Sequence, residues 1–174
     1  VNVRHLPRFF DYRTHLTYSQ LEYVNEYDEI RHPAIREAMR YLDMHELRLV
    51  YDADLPARSG LGTSSSFAVG MLNAFHALKG QFVSDRQLAE EAIYVERTLC
   101  AENGGIQDQI AAAYGGLNRI DFSAEGFEVR PIIVSPERKK NLNNNLMLFF
   151  TGFTRLSSDI AVEQKKVIDN KKND

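Results

Sequence analysis

The sequence predicts an α+β fold, a layer of helices on a sheet, and three observations carry that prediction. Residues 46–54 alternate polar and apolar side chains as a half-buried strand does. From Thr63 onward Phe67, Met71, Leu72, Phe75 and Leu78 recur at three- and four-residue steps, which gives an amphipathic helix over 62–79. Residues 115–121 and 126–133 stand as hairpin-like neighbours, so the chain reads as a sheet with helices on it rather than as alternating βαβ units.

Taken in order, strands are expected near residues 1–6, 15–19, 46–54, 115–121, 126–133 and 145–150. Helices are expected near 33–43, 62–79, 85–100, 106–113 and 157–170. The helix over 85–100 sets Leu88, Ala92, Val95 and Leu99 on one face, and a glycine turn and a small-residue run follow it. Residues 135–145 are polar, charged and turn-rich, which marks a loop or boundary. The pairs Lys165, Lys166 and Lys171, Lys172 read as a solvated helix face. With 174 residues, 44% of them hydrophobic and 26% charged, the chain can bury a core.

The most informative segment is residues 54–66, D-L-P-A-R-S-G-L-G-T-S-S-S, which lies between the strand over 46–54 and the helix over 62–79. Uncapped N–H groups and the positive end of a helix dipole attract anions, and Gly60 and Gly62 remove the Cβ atoms that keep a polyphosphate away. Thr63 and Ser64 add hydroxyls suited to phosphate or to the oxygen shell of magnesium. Ser and Thr are also ordinary helix caps, so composition alone leaves both readings open. A P-loop is excluded because no Lys precedes the Ser/Thr, and the dinucleotide fingerprint is excluded because Ser65 stands where its third glycine belongs.

Residues 56–65, P-A-R-S-G-L-G-T-S-S, resemble the ATP-binding motif P-x-x-x-G-L-G-S-S-A of the GHMP kinases, with Thr63 for the first Ser and Ser65 for the Ala. Downstream, Glu96 and the Asp of G-I-Q-D-Q (residues 105–109) have the twelve-residue spacing of that family's metal-binding glutamate and catalytic aspartate. The resemblance implies an N-terminal domain of the ribosomal protein S5 domain 2-like fold over residues 1–140, lacking its first strands. Residues 141–174 would then begin a ferredoxin-like C-terminal domain. It implies ATP held by Pro56, Ser59, Gly60, Leu61, Gly62, Thr63, Ser64 and Ser65, Mg2+ held by Ser64 and Glu96, and Asp108 as the catalytic group, either a true base or an orienting carboxylate. Within the family, residues 8–13, 28–37, 106–109 and 150–155 resemble the D-glycero-D-manno-heptose phosphate kinases. Arg155, Thr151 and Thr154 are candidates to hold a sugar phosphate, since a guanidinium matches phosphate bidentately.

The implied activity is transfer of the γ-phosphoryl group of ATP to a sugar or sugar-phosphate hydroxyl, with a heptose phosphate as the expected acceptor and galactose-like sugars as the alternative. A catalytically silent sugar- and nucleotide-binding sensor is the reading from another class, and the intact Ser64, Glu96 and Asp108 weigh against it. The family's opening sugar-binding segment and its closing G-A-G-x-G-G loop do not occur, and the first residue is Val, so the residues are expected to be an internal piece of a longer protein. A net charge of −3 gives no basic field for nucleic acid. No apolar run is long enough to span a bilayer and no signal peptide is present, which makes the cytoplasm the expected compartment, with a homodimer kept open. Cys100, the sole cysteine, reads as a packed small residue rather than a nucleophile, and the five histidines lack ligand spacing for zinc.

Overall fold

A computed structural model describes residues 1–55 and 60–149. They fall into two compact units, Val1–Tyr114 and the residues from Gly115 onward. The first unit holds a mixed four-stranded sheet of β1 (Asn2–His5), β2 (Thr14–Thr17), β3 (Leu21–Val24) and β4 (Leu47–Val50), in the order β1-β4-β2-β3. β4 runs antiparallel to β1 and parallel to β2, and β2 runs antiparallel to β3. Three helices with residues in the core follow or precede these strands: α1 (Pro33–Tyr41), α2 (Thr63–Leu78) and α3 (Asp85–Ile93), which widens into a π-helical segment over Tyr94–Leu99. Then comes α4 (Gln107–Tyr114).

The core forms where the alternating strands meet the helix stripes. Leu16, Leu47 and Leu49 from the sheet pack with Ile35 and Met39 of α1, Met71, Leu72 and Phe75 of α2, and Val95 beyond α3, all fully buried. Helix α2 is central, because it contacts β1, α1, α3 and α4. The expected phase of its stripe holds: Phe67, Met71, Leu72 and Phe75 are all buried.

Strand β3 was not expected, and its residues explain why. The inward positions are Glu22 and Val24, while Leu21 and Tyr23 face out, so the strand's hydrophobic alternation is inverted at Glu22. Burying that carboxyl is tolerated because Tyr18 donates its hydroxyl to one oxygen at 2.6 Å and the Arg31 N–H donates to the other at 2.9 Å. The π-helical segment is likewise a departure from the regular helix expected over 85–100. Its register is seen where the Cys100 N–H reaches the Val95 carbonyl at 2.9 Å, a five-residue step.

The second unit contains the hairpin of β5 (Asn118–Ser123) and β6 (Gly126–Pro131), antiparallel as expected, and α5 (Pro136–Asn144). Residues 135–145, expected as a loop or boundary, therefore hold a helix, Pro136–Asn144. The Ser135 side chain accepts the Arg138 N–H at 3.2 Å and Pro136 occupies the first turn, so capping chemistry starts a helix whose polar composition hides it. Residues 146–149 form no strand, since no paired segment exists for them among the described residues, and their side chains are exposed. The expected helix over 157–170 lies outside the described residues.

His32 is structural. Its ring caps α1 by accepting the Ile35 N–H at 3.5 Å, and it meets Tyr18 and Phe67 edge to face. Burial pushes its pKa below the ordinary 6.5, against the opposing pull of Glu22. The unfolded chain therefore takes up a proton near pH 6.5 that the native ring refuses, and stability falls as the pH drops below that value. His32→Asn keeps a capping acceptor without titrating. Urea unfolding as a function of pH should show a flatter acid limb for this variant than for the parent; equal slopes would assign the limb to other groups.

Candidate active site

Three helices converge on one carboxyl group. Helix α2 starts at Gly62, which takes a left-handed conformation (φ 69°, ψ 22°) as the N-cap and offers no side chain to its first turn. The N–H groups at that end are thus left for an outside acceptor, and the helix dipole favours an anion there. Ser64, exposed, and Ser65, buried, stand in that first turn. Two residues after α3 turns into its π-helical segment lies Glu96, only 3% exposed. Helix α4 brings Asp108 and Gln109 in its first turn, the aspartate exposed and the glutamine buried.

The Glu96 carboxyl accepts three hydrogen bonds. Ser64 Oγ donates to Oε1 at 3.1 Å, Ser65 Oγ donates to Oε2 at 2.9 Å, and Gln109 Nε2 also donates to Oε2. No Lys, Arg or His pairs with it among the described residues. A buried carboxyl normally has a cationic partner or a metal, so a cationic group fits beside this one. Magnesium suits the donor set, because it takes few protein oxygens and completes its shell with water and phosphate. Among the described residues no group of three or more His, Cys, Asp or Glu is placed to hold a metal, which disfavours a dedicated all-protein cage. The neighbouring Glu102 has its pKa raised, first by burial and then by the negative field of Glu96.

Asp108 closes the other side. A Cβ added at Gly62 would lie 3.5 Å from Asp108 Cγ and 3.6 Å from Oδ2, so the aspartate side chain sits against the backbone where α2 begins. The structure therefore brings Gly62, Ser64, Ser65, Glu96 and Asp108 together. Gly60 (φ 76°) and Leu61 precede them as exposed loop residues, and Thr63 opens α2 with no side-chain cap bond. Pro56 and Ser59 lie outside the described residues, as do Thr151, Thr154 and Arg155. Gln109 was given no role from the sequence; the signal available was its place next to Asp108, since consecutive helical residues diverge by about 100° and so can face different environments. Cys100 is half-buried and desolvation, reinforced by Glu102, pushes its thiol up to about 12, which keeps it protonated and unreactive.

A profile of the GHMP kinases N terminal domain matches residues 28–116, about half of the chain and all of the site. The chain belongs to the GHMP kinase family. This GHMP kinase chain is 34% identical over 126 residues to the D-glycero-alpha-D-manno-heptose 7-phosphate kinase of Campylobacter jejuni, covering 70% of the chain and 36% of that protein. It is 30% identical over 124 residues to the bifunctional fucokinase/GDP-fucose pyrophosphorylase of Arabidopsis thaliana, covering 69% of the chain and 12% of that protein. The crystal structure of a D-glycero-D-manno-heptose 1-phosphate kinase from Bacteroides thetaiotaomicron superposes with a TM-score of 0.66 at 25% identity, covering 76% of this chain and 47% of the other. The chain thus spans less than half the length of each of these relatives. No helix among the described residues is long and apolar enough to cross a membrane.

The added Cβ at Gly62 would meet Asp108 at ordinary van der Waals distance, so the cost of Gly62→Ala is backbone strain and not collision. A loss of about 1–2 kcal/mol is expected for a side chain forced into the left-handed region. Denaturant titration measures it, and an unchanged midpoint would mean that the helix start does not hold this conformation.

Proposed function

We propose that the protein is an ATP-dependent small-molecule kinase that phosphorylates a hydroxyl of a sugar or sugar phosphate. The single observation that carries this reading is the buried Glu96 carboxyl, without a basic partner among the described residues and hydrogen-bonded to Ser64 at an uncapped helix start that Asp108 faces. Phosphoryl transfer asks a protein mainly to position reactants and to stabilise charge, and these residues supply both. In the reaction the acceptor oxygen bonds to the γ-phosphorus, the bond from that phosphorus to the bridging oxygen breaks, and ADP leaves.

The N–H groups of the first turn of α2 hold phosphate oxygens, with Gly60 and Gly62 letting the backbone approach. Ser64 and Glu96 would hold Mg2+, which supplies charge neutralisation on the phosphates when bound. Asp108 accepts a hydrogen bond from the acceptor hydroxyl, orients it, and receives its proton before or during transfer. A heptose phosphate is the acceptor class that the similarity to heptose phosphate kinases supports best. The same reading assigns residues 1–140 to the ATP-binding domain and 141–174 to the start of a second domain, and it goes with the cytoplasm, where ATP is supplied.

Purified protein carrying this chain should release ADP in a magnesium-dependent manner with one member of a panel of heptose 7-phosphate, heptose, galactose, fucose and mevalonate. Asp108→Asn should lower that rate by about 10²- to 10⁴-fold, the range of a positioned acid or base, with nucleotide binding retained. An Asn variant as active as the parent would overturn the role given to Asp108, and nucleotide binding without turnover on any acceptor would favour a sensor.

A further inference from the structure

We infer that Gln109 and Ser65 form a buried clamp that fixes the Glu96 carboxyl so that one chosen oxygen, Oε1, is presented to the metal; Gln109 is thus a positioning residue. The inference rests on the metal role proposed for Glu96. The two carboxyl oxygens are treated differently. Oε2 receives both buried donors, Ser65 Oγ at 2.9 Å and Gln109 Nε2, from side chains on residues 6% and 5% exposed. Oε1 receives only the hydroxyl of exposed Ser64, at 3.1 Å. An oxygen that already accepts two hydrogen bonds has little left for a cation, whereas the one on the open side has its remaining lone pair free.

The amide of Gln109 is oriented by chemistry. A carboxylate only accepts, so Nε2 must face Glu96, and this leaves Gln109 Oε1 buried with no hydrogen-bond partner among the described residues. A Leu or Met of similar size would fill the same volume without stranding an acceptor. The orphan carbonyl is the cost of placing an N–H donor at Glu96, and it points to a need for that donor. The need is rotational. The terminal torsion of a glutamate is soft, so the plane of an unclamped carboxyl would swing over a wide range of angles and lose the geometry a small octahedral cation demands. The donors come from two elements, Ser65 on α2 and Gln109 on α4, so the carboxyl is held by two helices other than the one on which it is mounted.

Hydrogen bonds to metal-holding carboxylates are worth about 10- to 100-fold in metal affinity or activity. The test is Mn2+ binding, followed by electron paramagnetic resonance in the presence of a non-hydrolysable ATP analogue, for the parent, Gln109→Leu, Ser65→Ala and Glu96→Gln. Metal-free nucleotide binding and the Mg2+ dependence of ADP release are measured alongside. Gln109→Leu and Ser65→Ala should each weaken Mn2+ by about 10- to 100-fold and raise the Mg2+ requirement in parallel, and in Gln109→Leu metal-free nucleotide binding should be unchanged. Mn2+ affinity within about twofold of the parent in both variants, while Glu96→Gln abolishes it, would overturn the clamp and leave the metal site standing. Unchanged affinity in Glu96→Gln would instead overturn the metal role itself. Should Gln109→Leu fail to fold, Ser65→Ala decides the matter, because it removes the other donor to the same oxygen.

Discussion

The burial of the Glu96 carboxyl is the constraint on which the site depends. The carboxyl of a residue only 3% exposed needs its lone pairs satisfied, and the three donors that do so come from α2 and α4, both of which pack against α3. Leaving one buried acceptor unsatisfied costs about 1–3 kcal/mol, a large part of the margin of a small domain. The packing of α2, α3 and α4 and the chemistry of their shared end are therefore one problem with one solution. The helices cannot slide past each other without breaking bonds to Glu96.

The backbone is adjusted to the same end. Two features that weaken regular helices, the left-handed Gly62 at the start of α2 and the π-helical widening over Tyr94–Leu99, lie immediately beside the site. In the widened segment two successive residues, Val95 and Glu96, are buried, one in the apolar core and the other at the polar junction. Gly62 does the corresponding work for α2: without a Cβ it turns the chain into the helix while Asp108 lies against it. By contrast, the buried pair of His76 with Glu91 at 2.6 Å, with Gln87 and Gln81 beside them, joins α2 to α3 away from the helix start and completes its own bonding within the protein. That internal completeness distinguishes a structural polar cluster from the Glu96 junction, where the described residues supply no cation.

The elements that could be read in advance were those whose burial follows one period. The α2 stripe of Phe67, Met71, Leu72 and Phe75 and the alternation of β4 present apolar residues at the spacing their geometry dictates. Those misread broke that relation locally. β3 hides because Glu22 points inward, and α5 hides because its residues are polar throughout and only Ser135 and Pro136 signal its start.

By itself the sequence determined the α+β class, the glycine-rich helix start and the spacing of Glu96 and Asp108, because these depend on local periodicity, on turn chemistry and on motifs contiguous in the chain. Only the tertiary structure decided what those residues do to one another. Ser64 and Ser65 are adjacent in sequence, yet one is exposed and the other buried against Glu96, thirty-one positions away. Gln109 follows Asp108 in the chain but faces the opposite environment. Which side of a helix meets a partner, and which oxygen of a carboxyl is already taken, are set by the packing of three helices, and packing joins residues that no local pattern connects.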